Sequence, residues 1–185
     1  MRVLFVCSGN ICRSPLGAQV LLARLGRDAP AFTVESAGTI AQDGVAMDDA
    51  AAAQSQRLGG DPSAHRSRYL TASIAGSADL VLTAERSHRA AVVSLAPRAA
   101  KRAFTIKQFA RVLDALEPGD IAGVGSTDEL VERVARLRGT VPPPIDPVAD
   151  DVDDPYRRSE RTHERVADEI DASLAVIADA LRAVR

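Results

Sequence analysis

Both cysteines of the chain, Cys7 and Cys12, stand in one short stretch, FVCSGNICRSP, near its beginning. Arg13 follows Cys7 by six positions. A thiolate is a strong nucleophile, and a guanidinium can bind two oxygens of a tetrahedral anion at once. The pattern therefore favours chemistry on phosphate, arsenate or sulfate. The alternative is a turn in which the two cysteines are only small packed side chains.

The residues between Cys7 and Arg13 suit a loop that surrounds an anion. Gly9 permits close approach of the backbone, and Asn10 tolerates left-handed dihedral angles. Between a strand and a helix, the amides of residues 8–14 can turn inward, and the start of the helix adds the positive end of its dipole. The same donors would stabilise Cys7 as a thiolate.

The segments on either side of this loop predict a strand and a helix. Residues 3–6 are apolar and rich in β-branched side chains, which is typical of a strand buried on both faces. Residues 14–26 predict a helix, because Ser14 can cap it, Pro15 suits its first turn and Gly26 can end it.

The rest of the chain alternates between predicted strands and helices. Strands are predicted over residues 31–36, 78–82 and 102–106, and helices over residues 47–60, 87–97, 107–116, 126–139 and 158–184. The alternation predicts one α/β domain over residues 1–185, with a central, mostly parallel, four-stranded sheet flanked by helices. Such folds bind ligands beyond the carboxyl ends of their strands, where the Cys7 loop is expected to lie.

The composition of the chain argues against two kinds of binding partner, nucleic acids and membranes. The formal net charge is −2 and the sequence pI is about 5.9, which argues against nucleic acid as the main partner. No run approaches the roughly 20 apolar residues of a membrane span, and the opening MRVLFV is too short for a signal-peptide core. We therefore expect a cytoplasmic protein with no membrane partner, although export without a signal peptide stays open.

The cysteines and histidines do not form a metal-binding pattern. The spacing of Cys7 and Cys12 is not C-x-x-C, and it makes a poor disulfide framework. The three histidines, His65, His88 and His163, lie far apart in the sequence. We expect neither a metal nor a cofactor.

The stretch CSGNICRSP resembles the active-site loop of the low-molecular-weight protein tyrosine phosphatases. The likeness continues, in the family's order, with SAGT at 36–39, HRSRYL at 65–70, ADLVL at 78–82 and DPY at 154–156. The larger tyrosine phosphatases place His before the nucleophile, where this chain has Val6. The resemblance therefore favours the smaller enzymes.

The resemblance implies a two-step reaction without a metal. Cys7 would attack phosphorus and form a thiophosphate, while Arg13 and the loop amides bind the equatorial oxygens. An acid would protonate the departing oxygen and then activate water. Ser14 would hydrogen-bond the thiolate.

The resemblance also assigns supporting positions. The phosphate-binding loop would comprise Ser8, Gly9, Asn10, Ile11, Cys12 and Ser14. Asn10, Ser36 and His65 match residues that hydrogen-bond together in the family and hold the loop in shape. A structural role is favoured over a catalytic one for His65, because no acid sits beside it in sequence. Tyr156 matches one wall of the substrate pocket, and Gln42 stands where many relatives carry an aromatic second wall.

Five aspartates in the acidic, proline-rich stretch 139–155 are candidates for the general acid: Asp146, Asp150, Asp151, Asp153 and Asp154. Asp146 and Asp154 precede proline, which biases the residue before it to an extended backbone. Asp154 alone matches the family's D-P-Y and has an aromatic residue two positions on. We predict Asp154 as the general acid, with Asp153 as the alternative.

Cys12 matches the second loop cysteine of the family. The resemblance implies that Cys12 can pair reversibly with Cys7 under peroxide. A small packed residue is the other interpretation of Cys12.

The function expected first is a tyrosine phosphatase that acts on a phosphotyrosyl protein or a small aryl phosphate. Three alternatives are an arsenate reductase, a protein-arginine phosphatase and a sensor without turnover. Arsenate reductases of this fold need additional cysteines, and this chain has none after Cys12. Protein-arginine phosphatases typically carry Thr where this chain has Ile11, and an apolar residue favours a phosphotyrosine-like ester. A phosphate or redox sensor without turnover has no use for a proton donor such as Asp154.

Several positions depart from the family's pattern. Residues 83–88, TAERSH, replace the commoner Met-Asp arrangement. The contacts that these residues make with the Cys7 loop can therefore differ from those in the family. Arg157 follows Tyr156 where an aromatic residue or a glycine is usual. The stretch 111–150 is longer than in the family's most compact form, and the sequence assigns it no function.

Overall fold

Each of the four strands is followed by one or more helices, as the sequence predicts, although the short helices over residues 72–77 and 118–121 were not predicted. The computed structural model describes residues 1–121 and 123–184. The strands are β1 (Arg2–Cys7), β2 (Thr33–Gly38), β3 (Leu80–Thr83) and β4 (Ala103–Thr105). The helices are α1 (Arg13–Leu25), α2 (Asp49–Arg57), α3 (Ala72–Ser77), α4 (Arg86–Leu95), α5 (Ile106–Asp114), α6 (Pro118–Ile121), α7 (Thr127–Leu137) and α8 (Glu160–Ala183). Short 3₁₀ turns cover Gly26–Ala31, Pro97–Lys101 and Pro147–Asp150.

The four strands form one parallel sheet in the order β2-β1-β3-β4. The predicted four-stranded α/β architecture is therefore confirmed, with every strand pair parallel. The chain leaves β1 for β2 on one side and later returns to β3 on the other. This change of direction opens a crevice at the carboxyl end of β1, where ligands bind in such folds. Cys7 is the last residue of β1.

Side chains of β1 alternate between two buried layers. Val3 and Phe5 pack in one apolar cluster, and Leu4 and Val6 pack in the other. The first cluster includes residues of α1, α5 and α8, and the second includes residues of α3 and α4. Because successive strand residues point to opposite faces, a continuous apolar run is what a strand between two layers requires.

Some element boundaries differ from the prediction. The second strand was expected over residues 31–36, but Ala31 ends a 3₁₀ turn and the strand continues to Gly38, which pairs with Cys7. The prediction that Ser14 caps the first helix is wrong, since α1 begins at Arg13 after Cys12 and has no side-chain cap. The Ser14 hydroxyl lies instead beside Cys7 and Asn10.

Part of the long stretch 111–150 packs near the outer strand β4. Leu130, Val131 and Val134 of α7 belong to the same buried cluster as Phe104 of β4. The guanidinium carbon of Arg138 lies 3.8 Å from the centroid of the Phe104 ring. Residues of this stretch thus extend the apolar cluster on one face of the sheet.

The long helix α8 lies against α1 and α5. It buries Val166, Ile170, Leu174 and Ile177 along one side, as its amphipathic sequence predicts. Among the described residues, no helix combines the length and the apolar character needed to cross a membrane.

Gly38 gives a first testable prediction, because the Cys7 loop passes directly against it. A Cβ atom at this position would lie 2.9 Å from the amide nitrogen of Asn10 and closer still to the carbonyl oxygen of Ser8. We expect Gly38→Ala to displace the loop and to lower the free energy of unfolding by about 1–3 kcal/mol. Urea denaturation measures this change.

Gly76→Ala in α3 is the matched control, since a Cβ atom there meets nothing within 4 Å. This variant should be at least as stable as the wild-type protein, because alanine is the better helix former. Equal stability of the Gly38 and Gly76 variants would contradict the close packing of the loop.

Candidate active site

The loop between β1 and α1 is shaped by the conformation of Asn10. Its φ angle is 54°, in the left-handed region that asparagine tolerates better than most residues. Its side chain is fully buried. A buried amide needs partners for both of its polar ends, and the loop supplies them.

Hydrogen bonds of Asn10 tie the loop to its surroundings. Its side-chain Nδ2 donates to Ser14 Oγ over 2.9 Å and to Ser36 Oγ over 2.8 Å. Its Oδ1 accepts from the backbone amide of Arg68 over 2.9 Å. His65 Nε2 donates to the backbone carbonyl of Asn10 over 2.7 Å. The structure thus brings together Asn10, Ser36 and His65.

The loop leaves its backbone donors unused. In the part of the chain that the structure describes, the amides of residues 8–14 donate to no protein acceptor. These amides include the first N–H groups of α1, which no side chain caps. Free amides at a helix start, together with the positive end of the helix dipole, form a binding site for an anion.

The thiol of Cys7 lies within this loop beside a hydroxyl group. Cys7 Sγ is 3.0 Å from Ser14 Oγ. Because Asn10 donates to Ser14 Oγ, the hydroxyl can turn its own proton toward the sulfur. A hydroxyl that donates to sulfur stabilises the thiolate form, which is the nucleophile.

Arg13 is almost completely buried and has two carboxylate partners. Its Nη1 donates to Glu85 Oε1 over 2.6 Å and to the carbonyl of Val152 over 2.8 Å. Its Nη2 lies 3.2 Å from Asp154 Oδ2. Its Nε–H is buried and has no hydrogen-bond partner among the described residues. The guanidinium is therefore held in place while one donor stays available.

Glu85 is a residue that the sequence analysis did not select. It lies two positions beyond the end of β3, the neighbour of β1 in the sheet. A carboxylate just past the end of an adjacent parallel strand is the signal that could have indicated it. The departure from the family pattern at residues 83–88 thus has a visible role, since Glu85 binds Arg13.

The five candidate acids have different surroundings in the structure. Asp154 lines the same pocket as Cys7 and Arg13. Asp153 forms an ion pair with Arg165 of α8 over 2.7 Å. The others bond elsewhere: Asp146 to the amide of Val148, Asp150 to Arg111 and Asp151 to Arg86. The geometry favours Asp154 over Asp153 as the group above the nucleophile.

The pocket over Cys7 has a volume of about 340 Å³. Its lower part is formed by the loop, including Ser8, Gly9, Ile11 and Cys12. Tyr156 and Gln42 line it, as the resemblance implies, and so do Ile40 and Val45, which the sequence analysis did not identify. Exposed Ile40 and Val45 supply apolar surface beside Gln42, where an aromatic residue is common in the family.

His65 supports the loop from outside this pocket. It does not line the pocket of Cys7, and its ring nitrogen is used by the carbonyl of Asn10. Burial lowers the pKa of His65, and nearby Arg66 and Arg68 lower it further against the opposing effect of that hydrogen bond. This geometry favours a structural role for His65.

A larger cavity, of about 1100 Å³, lies between α7 and residues 97–102. Its described lining contains no cysteine, serine or histidine. The cavity of greater volume is therefore not the one that holds the nucleophile. Within the described residues, no group of three His, Cys, Asp or Glu side chains could hold a metal ion.

A model of the low molecular weight phosphotyrosine protein phosphatase family matches residues 2–121. The chain belongs to this family of hydrolases. The matched region contains Cys7, Arg13, His65 and Glu85, whereas Asp154 lies beyond it.

Individual relatives carry two different names. A protein-arginine-phosphatase of Geobacillus stearothermophilus is 36% identical over 135 residues, which is 73% of this chain and 86% of that protein. The low molecular weight protein-tyrosine-phosphatase Etp of Escherichia coli is 40% identical over 95 residues, 51% of this chain and 62% of that protein. The alignment thus spans less than two thirds of Etp.

The fold is also seen in solved structures of the family. The low molecular weight protein tyrosine phosphatase from T. tengcongensis matches with a TM-score of 0.71 and 28% identity, covering 98% of this chain and 99% of that one.

The two loop cysteines should differ in reactivity. Burial raises the pKa of the Cys12 thiol, and Asp48 and Cys7 raise it further. Cys12 therefore stays protonated at neutral pH, and a protonated thiol reacts slowly with alkylating agents. We expect iodoacetamide to modify Cys7 before Cys12 and inorganic phosphate to slow this reaction, as followed by peptide mass mapping. Faster modification of Cys12, or no protection by phosphate, would contradict the assignment.

Proposed function

We propose that the protein is a cysteine-dependent phosphomonoester hydrolase that acts on a phosphotyrosyl protein or a small aryl phosphate. The observation that carries the proposal is one pocket lined by Cys7, Arg13 and Asp154, at the end of β1 and beside unused backbone amides. A nucleophile, an oxyanion site and a proton donor at one place are the groups that transfer of a phosphoryl group requires.

In the first step, the loop amides and Arg13 bind the phosphoryl oxygens. The free Nε–H of Arg13 can donate to the substrate while Glu85 retains Nη1. Cys7 Sγ then forms a bond to phosphorus as the bond from phosphorus to the ester oxygen breaks. Asp154 gives its proton to that departing oxygen.

In the second step, Asp154 acts as the base. Its carboxylate takes a proton from water, whose oxygen bonds to phosphorus as the bond between sulfur and phosphorus breaks. Inorganic phosphate is released and Cys7 returns to the thiolate. Ser14 Oγ, 3.0 Å from the sulfur, stabilises this thiolate at both ends of the cycle.

The pocket walls favour an aromatic ester. Tyr156 offers a ring for stacking, and Ile11, Ile40 and Val45 contribute apolar surface. A phosphoarginine side chain would bring several N–H donors that need acceptors. Asp154 is the single carboxylate in the described lining, and Arg13 already contacts it.

A protein-arginine phosphatase is the second candidate, because the Geobacillus relative with that name matches 73% of the chain. Phosphotyrosine and phosphoarginine peptides of the same sequence separate the two. We expect a higher kcat/KM on phosphotyrosine, and we expect Ile11→Thr to reduce this preference by adding a hydroxyl to the pocket. A higher kcat/KM on phosphoarginine would make the second candidate the better one.

Hydrolysis of p-nitrophenyl phosphate at mildly acidic pH, with chelator and reductant present, tests the proposal directly. We expect turnover by the wild-type protein and none by Cys7→Ser, which should still bind phosphate through the loop amides and Arg13. Turnover that persists in Cys7→Ser would contradict the proposal. A folded wild-type protein without turnover would favour a phosphate sensor.

The leaving group tests the role of Asp154. Asp154→Ala should lower kcat/KM for phenyl phosphate by about 10²–10⁴-fold, because kcat/KM reports transfer of the phosphoryl group to Cys7 and not the later hydrolysis of the adduct. It should lower kcat/KM for p-nitrophenyl phosphate much less, because that leaving group departs without a proton. Asp153→Ala is the matched control and should leave both rates close to wild type, since Asp153 pairs with Arg165 outside the pocket. Equal losses of kcat/KM on the two substrates in Asp154→Ala would exclude it as the general acid.

A further inference from the structure

His88 lies behind the loop and has no part in the two-step reaction described above. It belongs to α4 and is 5% exposed. Its Nε2 is 2.8 Å from the hydroxyl oxygen of Ser8, the residue directly after Cys7. Its other ring nitrogen, Nδ1, is buried and has no partner among the described residues. Ser8 itself lines the pocket.

The position of the ring proton determines what the Ser8 hydroxyl can do. With the proton on Nδ1, a buried N–H would lack an acceptor, and Ser8 would have to donate its own proton to Nε2. With the proton on Nε2, the ring donates to Ser8 Oγ and leaves Nδ1 as a bare acceptor. Buried N–H groups without partners are rarer than acceptors without partners, so the second arrangement is favoured. Burial also lowers the pKa of His88, which favours the neutral ring.

We propose that Ser8 is a catalytic residue whose hydroxyl donates a hydrogen bond to an oxygen of the transferring phosphoryl group, and that His88 is the residue that positions this hydroxyl. The inference rests on the proposed phosphatase function. In the favoured arrangement Ser8 Oγ accepts from His88, so its own proton is free to point into the pocket beside Cys7. The hydroxyl then adds a donor to those of the amides and Arg13, at the place where negative charge builds.

One short segment would then position two of the groups that bind the phosphoryl oxygens. Glu85 and His88 are three residues apart, at the start of α4. Glu85 holds Arg13 over 2.6 Å, and His88 holds Ser8 over 2.8 Å. Residues 85–88 follow β3, whose neighbour in the sheet is β1, so both contacts reach across from one strand end to the next.

Variants of Ser8 test the hydroxyl. Ser8→Ala should lower kcat/KM for p-nitrophenyl phosphate by about tenfold to a hundredfold, because a hydrogen bond to a charged group is lost. Ser8→Thr keeps a hydroxyl and should retain most of the activity. Binding of vanadate, which takes up the five-coordinate geometry of the transition state, should weaken more in Ser8→Ala than binding of phosphate. Wild-type activity and unchanged vanadate affinity in Ser8→Ala would overturn the proposal.

Variants of His88 test whether it acts through Ser8. His88→Leu removes the donor and should lose about as much activity as Ser8→Ala, while the double variant should lose no more than either alone. His88→Gln can place an amide N–H near Nε2 and should restore part of the activity. Losses that multiply in the double variant would show that His88 does not act through the hydroxyl.

The ring proton can be observed without any substrate. Long-range ¹H–¹⁵N correlation spectra of ¹⁵N-histidine-labelled protein distinguish the two neutral forms of the ring, and we expect the proton of His88 on Nε2. A proton on Nδ1 would overturn the proposal, since Ser8 would then donate to the ring. Absence of Cys7-dependent turnover would instead count against the phosphatase function, and this spectrum and vanadate binding would still report on Ser8.

Discussion

The hydrogen bonds of the buried Asn10 side chain hold the Cys7 loop in a shape that the rest of the site depends on. They join the loop to Ser14 at the start of α1, to Ser36 on β2 and to the backbone of Arg68. Because side chains satisfy these contacts, the loop amides are not needed to hold the loop together and stay available to an anion. The same network brings the Ser14 hydroxyl to the Cys7 sulfur. One buried amide in a left-handed conformation thus places both the unused backbone amides and the Ser14 hydroxyl around Cys7.

The buried guanidinium of Arg13 requires negatively charged partners. Its two carboxylate partners differ in exposure and in distance. The Glu85 side chain is 31% exposed and lies 2.6 Å from Arg13, whereas the Asp154 side chain is 52% exposed and lies 3.2 Å away. The closer and more buried Glu85 can hold the guanidinium throughout the reaction. The more exposed Asp154, on the loop before α8, is the partner that can exchange its contact with Arg13 for one with substrate or water. This difference suits Glu85 to positioning Arg13 and Asp154 to proton transfer.

Local signals explain why much of the fold was predictable. The apolar run of β1, the capping serine of α7 and the glycine after α1 act within a few residues, so the sequence indicates them directly. Ser14 was wrongly predicted as a cap, because a serine before an apolar run suits that role equally well. Glu85 and His88 lie 72 and 80 positions from the residues they contact, and they meet them only because β3 is placed beside β1. Contacts of that kind depend on the order of the strands, which no local pattern reveals.

The central claim is that Cys7 carries the phosphoryl group between the two steps. Acid quenching of Asp154→Ala during turnover of p-nitrophenyl phosphate tests it most directly, because loss of the base slows release of phosphate more than its transfer to sulfur from a good leaving group. Intact-mass and peptide measurements should find one phosphoryl group, attached to Cys7. A phosphoryl group on another residue, or turnover without any covalent adduct, would contradict the account.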